Sequence, residues 1–392
     1  MRPKLVRLGG IAAAGMAISL GLAACGGGSG GGKGGEGATE LTIGVMGDLT
    51  GPDRALVIPP ANGAELAVEE YNKKNPKVKV KLKRYDTQGK AEQAVNQVNQ
   101  AIKKDKIAAL IGPAFSSESR AVNPILQTNK IPSVTPSATA TDLGKSGWKY
   151  WHRVVANDDA QGPQLAEFVL RTAQPKKAFM LSDQGEYGVG LAKSVGDTMK
   201  AKGVQIAEDK VDAQASDVSS TVAKIKSFQP DFIFAGGYYS FTGKMLKQIR
   251  DAGITALYAS GDGSVDPALV DAAGKEQADN VVLSCACKIP FKSTATELKT
   301  FADAYKAKWN TDPLIYGTEG YDAANAILKA IEAGATTSEQ INEKLKATDF
   351  AGVSKQIKFQ ENGEIATSLI YVYKVTKGEI SLLGEADKAA LQ

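Results

Sequence analysis

The residues of this sequence best placed to do chemistry are hydroxyls, tyrosines and one acid, and they stand directly after apolar runs. "IAALIG" leads into "PAFSSES", which brings Ser116 and Ser117 to a predicted helix start. Unpaired N–H groups and the positive dipole end there favour an anion. "IPSVT" leads into the hydroxyl-rich "PSATATD", with Ser137, Thr139 and Thr141. "DFIFAGG" leads into Tyr238 and Tyr239, and "ALYASG" into Asp262. In open sheets of alternating strands and helices, ligands sit beyond the carboxyl ends of the strands. The first two groups are neutral donors suited to a carboxylate. The last two supply aromatic walls and an acid, suited to an ammonium group on an apolar body. A free α-amino acid carries both charges and needs opposite partners close together. Each residue also has a plainer explanation: Ser116 or Thr139 as a helix cap, Asp262 as a brace for the Gly-rich turn "SGDGSVDP".

Other chemistries find little support. His152 is the one histidine in 392 residues, it has no evident partner, and histidine is the commonest general acid–base. "GKSGW" and "GDGSVD" are not G-x-S-x-G. Cys25, Cys285 and Cys287 form no C-x-x-C and no zinc spacing. An enzyme, a metal and a cofactor are therefore not expected. Setting aside Arg2, Lys4 and Arg7 leaves 44 basic against 43 acidic residues, so no global field draws in nucleic acid.

Strand–helix alternation must position the candidate residues. From Leu41, "LTIGVM" reads as a strand and "NGAELAVEEYNKK" as a helix with Ala64, Ala67, Val68 and Tyr71 on one face. "VKVKLKRYD", "IAALIG" and "IPSVTP" continue as strands, with "AEQAVNQVNQAIKK" and "SESRAVNPILQTN" as helices. The rhythm resumes after about residue 160 with "AFMLSD", "VQIAEDKV", "DFIFAGG", "ALYAS" and "NVVLSC" as strands. Two such series predict an α/β protein of two similar lobes, each a parallel sheet flanked by helices. Beyond Cys287 three helical stretches precede strand-like "KQIKFQ", "SLIYVYKV" and "EISLL".

The N-terminus reads as an address. "MRPKLVR" is positive, and Leu8 to Ala24 is uncharged and rich in Ala, Leu and Gly. That is the layout of an export signal, residues 1–24, and too glycine-rich for a good membrane span. "LAAC" resembles the lipobox of bacterial lipoproteins, which implies cleavage before Cys25 and a diacylglycerol on its sulfur. Two or more acyl chains anchor stably, at about 0.8 kcal/mol per buried methylene. Gly26 to Gly37 holds nine glycines in twelve residues, part of a tether spanning residues 25–39. As a random coil it would reach roughly 20 Å.

From about Glu40 to the C-terminus the chain resembles the Leu/Ile/Val-binding protein family, the type I periplasmic-binding-protein fold that feeds amino acids to ABC transporters. The resemblance rests on "IGVMGDLTGP", "NGAELAVEEYN", "IGPAFSSES", "VTPSATAT", "WHRVVANDDAQGP", "DQGEYGVGLAKSV", "FAGGYYSFTGKMLKQIRDAG" and "YGTEGYDAANAI", in that order and spacing. It implies two lobes, residues 40–156 with 287–364 and 157–286 with 365–392, joined by three hinge crossovers. By position, Ser116 would bind a ligand carboxylate. The backbone of Ser137 and Ala138 and the hydroxyl of Thr139 would hold the α-carboxylate and α-amino groups. Asp262, where the family has Glu, would pair with the ammonium, Tyr238 would complete that corner, and Tyr187 would close from the second lobe. Two features depart from the family. Leu56 stands where an aromatic clamp is frequent, followed by Pro59 and Pro60 in the same loop, and Phe115 stands where some members have a disulfide cysteine.

Cys285 and Cys287 fall near an expected crossover, either as a tight C-x-C disulfide or as two buried thiols. The implied function is an extracytoplasmic substrate-binding lipoprotein of an ABC importer, a monomer that delivers a branched-chain or other aliphatic amino acid to a membrane permease. A sensory module of the same fold, or a receptor for amides, urea or small aromatic acids, is the alternative.

Overall fold

A computed structural model describes residues 39–391. The signal segment, Cys25 and the tether before Thr39 lie outside the described residues. β1 (Thr39–Gly47), β2 (Val78–Asp86), β3 (Ala109–Ile111), β4 (Ser133–Thr135) and β5 (Trp151–Arg153) form one sheet, ordered β2-β1-β3-β4-β5 with every pairing parallel. Between them run α1 (Ile58–Lys73), α2 (Ala91–Lys103), α3 (Ser116–Thr128) and the short α4 (Thr141–Gly144). Ala64, Ala67, Val68 and Tyr71 of α1 are all buried, so the predicted apolar face is the inward one. The helix begins four residues earlier than expected, and Pro59 and Pro60 sit in its first turn rather than in a loop. Proline is tolerated there because first-turn N–H groups have no intrahelical acceptor.

The second series is α5 (Asp158–Thr172), β6 (Lys177–Ser182), α6 (Glu186–Ala201), β7 (Gln205–Lys210), α7 (Ser219–Phe228), β8 (Phe232–Gly236), α8 (Tyr239–Asp251), β9 (Leu257–Ser260), α9 (Pro267–Ala273) and β10 (Val282–Cys285). Near-continuous apolar strands such as Phe232–Gly236 are buried throughout, as strands covered on both faces must be. After β10 the chain forms α10 (Thr296–Trp309), α11 (Gly317–Glu332), α12 (Ser338–Lys346) and a small hairpin of β11 (Asp349–Ala351) and β12 (Gln356–Lys358). These return to the first lobe. Phe301 and Tyr305 of α10 pack on Leu66 of α1, and Ile327, Ile331 and Ile341 join the core under β1.

The chain then crosses once more into β13 (Tyr371–Thr376) and β14 (Glu379–Glu385). The second sheet reads β14-β13-β10-β9-β8-β6-β7. It is not purely parallel: β13 runs antiparallel to β10 and β14 antiparallel to β13. Only Lys377 and Gly378, both at positive φ, separate the last two strands, and so short a link can join antiparallel neighbours alone. Three crossings therefore link the lobes: between β5 and α5, between β10 and α10, and between β12 and β13. Cys285 and Cys287 are joined by a disulfide at the second of them, and both are buried.

Candidate functional site

Each candidate residue follows a strand that aims it at the cleft. Ser116 opens α3 just beyond β3, and its Oγ accepts the Ala140 N–H at 3.2 Å. The turn after β4 is held by Thr135, whose Oγ1 donates to the Pro113 carbonyl at 2.7 Å and accepts the Ala138 N–H at 3.1 Å. Ser137 Oγ donates to the Ala114 carbonyl at 2.8 Å. From the other lobe, Tyr187 lies in the first turn of α6, Tyr238 precedes α8, and Asp262 opens a short 3₁₀ turn after β9.

These residues converge. Leu56, Ala114, Phe115, Ser116, Ser137, Tyr187, Tyr238, Asp262, Gly263 and Tyr316 line one narrow cavity between the lobes, about 260 Å³ of non-atom space. Side chains of both lobes line it, and the lobes are closed on one another around it. The Tyr238 ring stacks with Phe115 at 4.2 Å between centroids and with Tyr187 at 5.3 Å. At the rim, Arg120 of α3 pairs with Glu186 of α6 at 2.7 Å, and Tyr239 donates to the Pro52 carbonyl at 2.7 Å.

Asp262 is the charged residue of the cavity wall and is 3 % exposed. Its carboxylate accepts from Tyr187 at 2.8 Å, Gln161 at 2.7 Å and Tyr316. Burial pushes its pKa up, and those three donors pull against the rise. Burial likewise lifts Tyr187, Tyr238 and Tyr316 well above the ordinary phenol value, so all three remain donors at neutral pH. These three donors are neutral, so none of them supplies a positive charge to balance the carboxylate.

A second acid stands close by. Asp158, in the first turn of α5, is 1 % exposed; its carboxylate makes no hydrogen bond of good geometry, although the Thr139 side chain lies near enough to favour its ionised form. Burial, then the charge of Asp262, drives its pKa well above the carboxylate range. Thr139 Oγ1 and Gln161 Oε1 are also buried without partners. Unpaired buried polar atoms are costly and mark strain or function. The nearby Arg153 is committed elsewhere, to a bidentate pair with Glu364 and to the carbonyls of Ala138 and Ala140. Ala138 is therefore engaged at both its N–H and its carbonyl, and it does not line the cavity.

The structure brings the predicted Ser116, Ser137, Tyr187, Tyr238 and Asp262 to one cavity, with Leu56 also on its wall, and places neither Ala138 nor Thr139 on that wall. The sequence reading assigned no role to Tyr316, Gln161 or Asp158 and no wall contact to Phe115. Asp158 and Gln161 had a usable signal, since spacing of three places both on one face of a first helical turn. Tyr316 had none: it follows no strand and reaches Asp262 from 54 residues away, at a φ of 63°. His152 lies outside the cavity, 2 % exposed, with its ring 4.9 Å from Phe359 and its pKa pushed down to about 4 by burial.

Known proteins share this fold. The chain is 31 % identical over 351 residues to a Leu/Ile/Val-binding protein of Rhizobium johnstonii, covering 87 % of this chain and 93 % of that one. It is 28 % identical to a leucine-, isoleucine-, valine-, threonine- and alanine-binding protein of Pseudomonas aeruginosa, over 86 % of this chain and 90 % of that one. Among solved structures, a leucine-binding protein of Thermotoga maritima matches with a TM-score of 0.82 and 29 % identity, over 88 % of this chain and 98 % of that one. A Streptococcus pneumoniae branched-chain amino acid transporter substrate-binding protein, solved with isoleucine, matches at 0.79 and 25 %, over 88 % and 100 %. The family model described as periplasmic binding protein spans residues 40–379, and the chain belongs to that family of binding proteins.

Proposed function

We propose that this protein is the substrate-binding component of an ABC importer and captures a branched-chain or other aliphatic amino acid between its lobes. The observation that carries the reading is Asp262, a buried carboxylate ringed by neutral donors across a narrow cavity from the N-terminus of α3. The ligand carboxylate meets the Ser116 hydroxyl and the free N–H groups of the first turn of α3, where the helix dipole favours negative charge. Ser137 flanks that pole. The ammonium pairs with Asp262 at the cavity wall, with the buried Asp158 and the Thr139 hydroxyl behind it. The aliphatic side chain packs on Leu56, Phe115 and the Tyr238 ring. The names of the relatives in Rhizobium johnstonii and Thermotoga maritima support this class of ligand.

Capture needs the cleft to open. The ligand docks on the first lobe and the second closes over it, bringing Tyr187, Tyr238 and Asp262 and excluding water. The lobes are residues 40–156 with 287–364, and 157–286 with 365–392. Cleavage before Cys25 and lipid on its sulfur would tether the domain to the outer face of the membrane, beside the permease that receives the amino acid.

Titration calorimetry with L-leucine, L-isoleucine and L-valine tests the reading, with urea, acetamide and benzoate as comparisons. Micromolar or tighter binding of the amino acids alone is expected. Preference for a ligand lacking an ammonium group would overturn it. Loss of radiolabelled leucine uptake on deletion would place the protein in transport.

A further inference from the structure

Lys355 lies outside the cavity, in the turn between β11 and β12, yet three segments meet at its ammonium group. Nζ donates to the Val154 carbonyl at 3.3 Å, the Ala286 carbonyl at 3.1 Å and Glu319 at 2.9 Å. Val154 lies on the first crossing between the lobes. Ala286 lies on the second, inside the ring closed by the Cys285–Cys287 disulfide. The Lys355 side chain is 14 % exposed and that of Glu319 1 %, so the ion pair is largely shielded from water.

The turn bearing Lys355 is itself fixed. Asp322, one helical turn beyond Glu319 on α11, accepts the N–H groups of Val353 at 2.8 Å and Ser354 at 2.7 Å. The same face of α11 thus anchors the backbone of the turn and the tip of its lysine. Tyr316, immediately before α11, hydrogen-bonds Asp262 in the cavity. One helix therefore joins the candidate ligand acid to the carbonyls of two crossing segments. A lysine offers three donors in a compact charge, and here all three have an acceptor.

We propose that Lys355 is the pin of the interlobe hinge, a positioning residue that holds two of the three crossings in the closed arrangement and so sets how long a captured ligand stays. The proposal rests on the capture reading above. Without the pin, the crossing carbonyls lose their shared donor, the closed arrangement loses its bias, and release quickens while the first-lobe docking surface is untouched.

K355M alone would leave Glu319 buried without its cation, so the K355M/E319Q pair carries the test and K355R is the rescue. Stopped-flow release of L-leucine is expected on the order of tenfold faster in the pair, with association within about twofold of the wild type. Hydrogen exchange of the ligand-free protein should quicken in segments 154–157 and 286–289 and stay unchanged in β6 and β8. K355R should restore both readings. Release and crossing-segment exchange equal to the wild type would overturn the pin, as would exchange rising equally in β6 and β8, which would mark general loosening. Failure of the wild type to bind leucine would instead overturn the amino-acid assignment of the cleft, and the exchange measurement, which needs no ligand, would decide the pin by itself.

Discussion

The two buried acids beside the cavity share a cost that a proton or a cation can relieve. Asp262 has three neutral donors in hydrogen-bond contact, whereas Asp158 has only the Thr139 side chain beside it, without a well-formed hydrogen bond. Breaking a buried ion pair costs about 3–5 kcal/mol. Asp262→Ala should therefore weaken leucine binding by roughly a hundredfold or more, read by calorimetry. Asp158→Asn should act in two directions. It removes a strained buried carboxylate, so the ligand-free protein should melt higher by a few degrees in calorimetric scans. It also removes a group that could ionise beside a bound ammonium, so leucine affinity should fall, by less than for Asp262→Ala. A higher melting temperature with unchanged affinity would take Asp158 out of the site.

At the level of elements, the site depends on how closely α11 approaches α1. A Cβ at Gly63 would lie 2.0 Å from the Gly317 carbonyl, and one at Gly320 would lie 2.1 Å from the Pro60 carbonyl. Both distances are impossible without separating the helices. The backbones meet because these two positions carry no side chain, and the contact holds Tyr316 over Asp262. Gly320→Ala should cost on the order of 1–3 kcal/mol in denaturant unfolding, the range for overpacking, and should also weaken leucine binding. A loss of stability with binding intact would show that Tyr316 holds its place independently of the helix contact.

Among the described residues, burial raises several acids and lowers the His152 imidazole. Asp53, Asp183, Asp266 and Asp322 are each pushed up to about 6, and Glu118 to about 8, with burial the first cause throughout. In the unfolded chain such groups ionise near pH 4. Between pH 4 and 6 the folded protein therefore holds more protons, and its stability falls as pH rises; Glu118 extends the decline toward 8. His152 opposes this, because the unfolded chain protonates it first between about 4 and 6.5, and stability from that group rises with pH. Several acids outweigh one histidine, so the melting temperature should be higher at pH 5 than at pH 7.5. Asp53 and Asp183 stand on opposite lobes, and after burial the charge of Asp53 adds to the rise of Asp183. Asp53→Asn with Asp183→Asn should flatten the profile by roughly 2 kcal/mol over that window. A profile of unchanged steepness would assign the effect to the other acids.

Much of this was legible in residue order because local patterns carry it. Apolar runs of four to nine residues and helical faces at 3.6 spacing are properties of neighbours in the chain, so the strands and the alternation of the two lobes could be read directly. Ser116, Ser137, Tyr238 and Asp262 could be named because each follows a strand, and strand ends in such sheets point to one crevice. Tyr316 on Asp262, Phe115 against Tyr238, and the grip of Lys355 on Val154 and Ala286 join residues that share no pattern of spacing. They follow from how closely two glycine-bearing helices meet and where three crossings of the chain come together, and those are outcomes of packing between distant segments.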